Sequence, residues 1–193
     1  MTLIADRIVD VALDLLNKEG LSKLSTRRLA KVLDMQGPSL YHHFRNKAEL
    51  LGHMAAVMLH RTIAPLDQDV GWDTWLRTMA HATRAMTLGC RDGAQLLAMS
   101  YPTEEMQKEL LPKVAQPLLA AGFSPRVANE TSAFVAAFVI GWTINEQNER
   151  IRDYMGNVMD TSEAFSNGVE TLVIGISVRT GKPLSISGNG KTR

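Results

Sequence analysis

The chain has 193 residues, 45% of them apolar and 21% charged, which indicates a packed globular protein and excludes a disordered chain. Its 21 lysines and arginines nearly balance its 20 aspartates and glutamates, which excludes a protein that coats a polyanion with its whole surface. A single cysteine, Cys90, excludes a disulfide scaffold and a cysteine-based zinc site.

Apolar residues recur at spacings of three and four along the first third of the chain, which predicts helices. Ser25 or Thr26 can cap the second helix, and Asn46 can cap the fourth. Pro38 suits the first turn of the third helix, because its missing N–H would be unpaired there in any case. The predicted helices in this part span residues 3–19, 26–33, 37–43 and 47–63.

The rest of the chain keeps the helical period, so the sequence predicts an all-α fold. Pro112 and Pro117 predict a kink or a break within the helix that opens at Thr103. A Gly-, Ser- and Lys-rich tail from Gly181 is predicted to be disordered. The predicted helices span residues 72–88, 92–99, 103–121, 125–148 and 161–179, with a turn over 148–160.

Positive charge is concentrated near the N-terminus. Six basic residues against one aspartate between Ser22 and Lys47 give this segment +5, which leaves −4 for the rest of a chain whose net charge is +1. A cationic patch on a slightly acidic protein indicates a local contact with a polyanion. The alternative is a solvated helix surface.

Two short helices joined by a tight turn, with a third in front, predict a helix-turn-helix unit. Residues 37–43 would form a helix about 10 Å long, which fits a major groove ~12 Å wide. Leu40 and Phe44 would point inward, and Arg27 is the expected contact to a guanine. The residues predicted to bind DNA are Thr26, Arg27, Arg28, Gly37, Pro38, Ser39, Tyr41, His42, His43 and Lys47.

This region resembles the DNA-binding domain of the TetR family of bacterial transcriptional repressors. The resemblance covers roughly residues 1–50 and departs at Asp34, where the family usually has glycine in the turn. Aspartate tolerates the left-handed conformation that such a turn needs. The matching residues are Thr26, Leu29, Ala30, Leu33, Pro38, Ser39, Leu40, Tyr41, His43, Phe44, Asn46, Lys47 and Leu50.

Shorter stretches at 72–77, 91–94 and 102–104 look like the ligand-binding domain of the tetracycline-binding members of this family. The resemblance implies an N-terminal helix-turn-helix domain (1–47), a C-terminal helical effector-binding and dimerisation domain (48–180) and a disordered tail (181–193). It also implies a homodimer held by a four-helix bundle of the last two long helices. Their apolar stripes would form that bundle, or else an internal core: Phe134, Val135, Phe138, Val139 and Trp142, then Phe165, Val169, Leu172, Val173 and Ile176.

The resemblance also implies a drug bound with a magnesium ion, but three polar positions of that site fall on Leu97, Ile63 and Met79. Since a hard cation needs oxygen or imidazole ligands, we expect no magnesium–tetracycline binding, no metal and no cofactor. The expected effector is a largely apolar small molecule, anchored by groups such as Ser100 or Asn145. The predicted pocket is lined by Ile63, Met79, Thr83, Met86, Leu97, Ser100, Phe138, Trp142 and Asn145.

The expected protein is thus a cytoplasmic repressor that binds double-stranded operator DNA as a homodimer and is released by an effector. An enzyme is disfavoured, because no pair among the five histidines has metal-ligand spacing and no phosphate loop or nucleophile motif occurs. An activator, an effector-independent regulator and a redox sensor using Cys90 remain alternatives. No membrane partner is expected, because no apolar run approaches the ~18 residues of a membrane span and the N-terminus is unlike a signal peptide.

Overall fold

A computed structural model describes residues 3–185, and within that range the chain forms ten α-helices and one π-helical turn. The prediction of an all-α fold is confirmed, and the described residues contain no strand. The helices are α1 (Leu3–Glu19), α2 (Thr26–Val32), α3 (Gly37–Tyr41), α4 (Lys47–Ile63), α5 (Trp72–Leu88), α6 (Gly93–Met99), the π-helical turn (Met106–Leu110), α7 (Leu111–Ala120), α8 (Pro125–Gln147), α9 (Glu149–Val158) and α10 (Thr161–Thr180).

Local capping explains where the helices of the N-terminal part begin. The Ser25 Oγ accepts a hydrogen bond from the Arg28 N–H at 3.1 Å, and the Asn46 Oδ1 accepts one from the Glu49 N–H at 2.9 Å. Asp34 has φ +52°, so the turn after α2 takes the left-handed conformation expected there. Short polar side chains therefore define the helix-turn-helix boundaries.

Three elements differ from the prediction. α3 ends at Tyr41 rather than at His43, although the Phe44 N–H still bonds to the Leu40 carbonyl at 3.0 Å. α9 occupies the segment predicted as a turn, where the Asn148 side chain caps it. The expected break lies at Met106–Leu110, before Pro112, because proline cannot donate to the carbonyl four residues earlier and pushes it away.

The core has two parts. The N-terminal cluster joins α1, α2, α3 and the first three turns of α4, and it also includes Cys90 and Leu96 from the end of α5 and from α6. The C-terminal cluster joins α5, α7, α8 and α10 around Trp75 and Phe165. The hydrophobic core of the DNA-binding part thus extends beyond residue 47, to Met58 on α4.

The start of α5 is tied to α10 and to the chain that follows it. The Trp72 indole N–H donates to the Pro183 carbonyl at 3.0 Å, and the Ser185 hydroxyl donates to the Asp73 carboxylate. The segment predicted as a disordered tail therefore begins with residues that pack on α5, while residues 186–193 lie outside the described part of the chain.

Asp73 lies at the centre of a charged cluster with Arg77 and Glu170. Arg77 donates two hydrogen bonds to Glu170, at 2.7 and 2.9 Å, and one to Asp73 at 2.7 Å. Burial alone would raise the pKa of Asp73, but hydrogen bonds from Ser185 and Arg77 outweigh it and hold the pKa below its usual value. The bonds from Arg77 likewise lower the pKa of Glu170.

This cluster predicts a loss of stability in acid. A carboxyl group whose pKa is lower in the folded than in the unfolded state stabilises the fold above its unfolded pKa, about 4, and the contribution disappears as pH falls through the folded pKa. We expect Asp73→Asn to cost roughly 1–3 kcal/mol at pH 7 and to flatten the fall in unfolding free energy between about pH 5 and 3. Urea melts at several pH values measure both, and an equal acid slope in the variant would contradict the assignment.

α8 requires a correction to one expectation. By length and composition alone it is long and apolar enough to cross a membrane, contrary to the expectation that no apolar run approaches that length. It packs against α5, α6, α7 and α10, so part of its apolar surface is core. The rest is exposed on one side of the C-terminal domain, where it joins an exposed side of α10.

Candidate nucleic-acid interface and effector cavity

α3 is fixed by its buried side and presents its other side to solvent. Leu40 and Phe44 are each only 1% exposed, and the Phe44 ring meets the His53 ring of α4 edge-on with centroids 5.4 Å apart. On the outer side, Tyr41 is 52% exposed, and Ser39 and His42 are exposed. The predicted outward display of α3 is therefore confirmed for these three residues.

The structure links some of the other predicted DNA-binding residues to α3. The Thr26 Oγ1 and the Tyr41 Oη lie 3.3 Å apart, so the start of α2 adjoins the exposed side of α3. Arg27 is exposed, and His43 is half-buried after the end of α3. Gly37 and Pro38 lie in the first turn of α3, and their side chains are outside the described part of the structure.

Two of the predicted cations have partners within the protein. Arg28 forms an ion pair with Glu19 at the end of α1, and its hydrogen bond lowers the pKa of Glu19. Lys47 donates from Nζ to the Leu21 carbonyl at 3.4 Å. The predicted cationic patch is thus weaker than its +5 formal charge suggests, because Arg28 is neutralised from α1.

A cavity of about 730 Å³ lies between α4, α5, α6, α7, α8 and the π-helical turn. Five of the nine predicted pocket residues line it: Ile63, Met79, Thr83, Leu97 and Ser100. Its wall also includes residues that the sequence analysis missed, from α8 and from the π-helical turn. Among these are Met106, Gln107, Leu110, Asn129, Ser132, Val135, Val139 and Ile140.

The other four predicted pocket residues do not line this cavity. Met86 packs against the N-terminal core, and Asn145 lies beyond the last cavity residue of α8. Phe138 and Trp142 face α10, where Phe138 stacks on Phe165 with ring centroids 5.4 Å apart. Gly168 makes room for this stack, because a Cβ there would lie 2.5 Å from the Phe138 ring.

The cavity is electrically neutral. Among the described residues that line it, none is charged and none carries an imidazole. The Ser100 hydroxyl is close to two carbonyls, Leu96 at 2.6 Å and Leu51 at 3.0 Å, so its proton is engaged and its oxygen can only accept from a ligand. The Ser132 hydroxyl is likewise engaged, with the Ala128 carbonyl at 2.9 Å, and Tyr101 is 78% exposed, so Thr83 is the buried lining hydroxyl that remains to donate to a ligand.

A hard cation does not fit these residues. Carboxylates, carbonyl oxygens or imidazoles would have to surround it, yet the described part of the chain has no group of three or more His, Cys, Asp or Glu that could hold a metal. The described lining of this cavity supplies neither a carboxylate nor an imidazole to a metal ion.

Cys90 lacks the environment of a reactive thiol. Its side chain is buried in the N-terminal core, and burial raises its pKa, with a smaller contribution from Asp92. The thiolate is the reactive form, so both effects reduce reactivity. The redox-sensor alternative is disfavoured.

An apolar surface remains uncovered on the C-terminal domain, and we call it the bundle face. It comprises exposed residues at helical spacing on two helices: Phe134, Ala137 and Gly141 on α8, with Ile174, Gly175 and Val178 on α10. Arg179 of α10 lies over the Phe134 ring at 5.8 Å, which joins the two rows. The predicted stripe on α10 is different, because Phe165, Val169, Val173 and Ile176 are buried within the chain and Leu172 is half-buried.

The comparisons with known proteins match both halves of this architecture. Residues 8–54 match the family described as bacterial regulatory proteins of the tetR family, and residues 64–168 match the tetracyclin repressor-like C-terminal domain. The chain belongs to the TetR family. Members of this family are DNA-binding transcription regulators with a helix-turn-helix, not enzymes, which accounts for the outward display of α3.

Individual relatives agree with this assignment. The class C tetracycline repressor of Escherichia coli is 36% identical over 145 residues, which cover 74% of this chain and 65% of that protein. TetR-Q116A of Acinetobacter baumannii in complex with minocycline has a TM-score of 0.77 at 31% identity, covering 91% of this chain and 96% of that one. BioQ with its DNA operator has a TM-score of 0.73 at 29% identity, covering 92% and 99%.

Proposed function

We propose that this TetR-family protein is a cytoplasmic repressor that binds a palindromic operator as a homodimer and is released by a neutral, largely apolar small molecule other than magnesium–tetracycline. The observation that carries the proposal is the 730 Å³ cavity whose described lining has no charge. A cavity of this size and apolar character is typical of a small-molecule site. Burying a charged ligand there without a partner would be costly.

The DNA-binding part of the proposal rests on the exposed side of α3. Two copies related by a twofold axis would place Tyr41 and His42 in successive major grooves, about 34–36 Å apart. Arg27 beside them would read a guanine, while Thr26, Ser39, His43 and Lys47 would hold phosphates. The proposal keeps Arg28 as a phosphate contact only if it leaves Glu19 on binding.

Selection of bound sequences from random duplex DNA, followed by footprinting, tests this directly. We expect a protected palindrome whose half-sites are one helical turn apart. Recovery of no sequence, or of a single half-site, would refute the dimeric operator. With the operator placed upstream of a reporter, deleting the protein should raise transcription, and a fall would indicate an activator instead.

Arg27→Ala tests the proposed base contact. We expect operator affinity of the dimer to fall at least ~30-fold, because the substitution removes two bidentate contacts, one in each half-site, that contribute about 1–3 kcal/mol each. Arg150→Ala removes an exposed arginine from the start of α9, away from α3, and serves as the matched control. Fluorescence anisotropy with the selected duplex measures both, and equal affinities would exclude Arg27 from the interface.

Thr83→Val tests the polar anchor of the cavity. A thermal-shift screen of neutral apolar compounds, anions and metal chelates first identifies a ligand, since binding to the folded state raises the unfolding midpoint. We then expect Thr83→Val to weaken that ligand about fivefold while leaving operator affinity unchanged, because one hydrogen bond contributes roughly 1 kcal/mol. Calorimetric titration measures the change, and a screen that yields only anions or metal chelates would contradict the neutral-ligand proposal.

A further inference from the structure

The geometry points to Gln147, the last residue of α8, as a positioning residue that holds the helix-turn-helix domain in place for DNA binding. It acts through the turn between α5 and α6, which contacts the end of α1. The inference rests on the proposed function only in that the domain so positioned binds an operator.

The side-chain amide of Gln147 forms hydrogen bonds through both its nitrogen and its oxygen. Its Nε2 donates to the Thr87 and Cys90 carbonyls, each at 2.7 Å, and its Oε1 accepts from the Ala94 N–H at 3.0 Å. An amide carries two N–H donors, so both are engaged. The end of α8 is thereby fastened to the end of α5, to the turn and to the start of α6.

The opposite side of the same turn is bonded to the DNA-binding part of the chain. The Asp92 Oδ2 accepts from the Leu21 N–H at 2.7 Å, and the Arg91 N–H donates to the Asn17 Oδ1 at 2.9 Å. The Arg91 guanidinium also donates to the Lys18 carbonyl at 3.1 Å. The end of α1 and the loop that leads to α2 are therefore held by side chains and backbone of this turn.

The backbone of the turn allows little freedom at these contacts. Asp92 has φ +55°, a left-handed conformation that few residues other than glycine, asparagine and aspartate adopt. Gly20 has φ +84°, and a Cβ there would lie 3.0 Å from the Asp92 Oδ2. The segment at Gly20 and the α5–α6 turn thus lie so close together that a shift of the turn is passed to the end of α1.

α8 gives this connection a functional consequence. Val135, Val139 and Ile140 of α8 line the cavity, and Phe134 and Gly141 of the same helix belong to the bundle face. A displacement of α8 therefore reaches the DNA-binding part through Gln147 and the turn. This route is separate from α4, which provides the covalent connection.

Amide hydrogen exchange on the free protein tests the inference in two variants. Gln147→Ala removes the whole amide, whereas Gln147→Glu keeps an oxygen for the Ala94 N–H and removes both N–H donors. We expect exchange of the Leu21 amide to rise about tenfold in each, because opening of the turn releases its acceptor Asp92. Met54 in α4 should exchange as before, and Gln95→Ala, which truncates an exposed glutamine on α6, should change neither.

Operator affinity provides the second readout. Both Gln147 variants should bind the selected duplex about tenfold more weakly, with the Gln95→Ala protein unchanged. The inference is overturned if Ala94 exchanges faster while Leu21 does not, or if Met54 accelerates together with Leu21, since Gln147 would then be only a stabilising contact. Because exchange is measured without DNA, failure to recover an operator would refute the proposed function and leave this test intact.

Discussion

Ile174→Asp on the bundle face is expected to convert the proposed homodimer into monomers and to lower operator affinity by ~10²–10⁴-fold. The effect on affinity is large because, in a dimer, the first DNA-binding domain to bind holds the second at a high effective concentration near its half-site. A monomer lacks this gain. Ile174 is 47% exposed in the single chain, so burying the rest of it in a dimer would contribute about 1 kcal/mol per subunit. In a twofold interface the substitution also buries two carboxylates, which is costly without partners.

Light scattering measures the oligomeric state directly. The native protein should have twice the chain mass of 21.3 kDa, and Ile174→Asp should have the chain mass. Ile4→Asp is the matched control, because Ile4 is an isoleucine 56% exposed on α1, away from the bundle face. A variant that stays dimeric would show that another surface joins the protomers.

Phe44→Ala is expected to unfold the helix-turn-helix while the C-terminal domain stays folded. Phe44 is fully packed against α4, and removing such a ring costs about 3–5 kcal/mol. That loss is a large share of the roughly 5–15 kcal/mol that stabilises a typical domain. It falls on the N-terminal cluster, which does not include the Trp75 and Phe165 side chains of the C-terminal cluster.

Three measurements distinguish this outcome from general unfolding. Operator binding should be lost, calorimetry should show an early transition, and the ligand found by the thermal-shift screen should still bind. Tyr154→Ala removes an aromatic ring that is 67% exposed on α9 and should change the midpoint little. One cooperative transition at lower temperature, with ligand binding also lost, would show that the two clusters unfold as one unit.

Helix starts were predictable because they depend on neighbouring residues. Ser25 and Asn46 cap α2 and α4 as expected, since a short polar side chain satisfies a free N–H only a few residues away. α9 was missed because its sequence, ERIRDYMGNV, has few apolar residues to show a period. The cap at Asn148 was the available signal.

The site was less predictable, because it depends on how helices cross. The sequence of α10 has apolar residues on two sides. The helical period places Val173 and Ile174 on different sides, but it does not tell which side packs inside the chain. The pairing of Arg28 with Glu19 depends on the placement of α2 against α1. The rotation of α8 decided that Val139 lines the cavity while Phe138 meets Phe165. Such choices are made by tertiary packing, which periodicity along one helix does not contain.

Cys90 and Leu96 lie far from the helix-turn-helix in sequence, yet they complete its hydrophobic cluster. If the DNA-binding domain of this protein were transferred to another regulator, it would therefore lose part of its hydrophobic core unless the recipient supplied equivalent apolar side chains. Chimeras that exchange only the first fifty residues should lack these core side chains. Chimeras that also carry the α5–α6 turn and α6 should retain them.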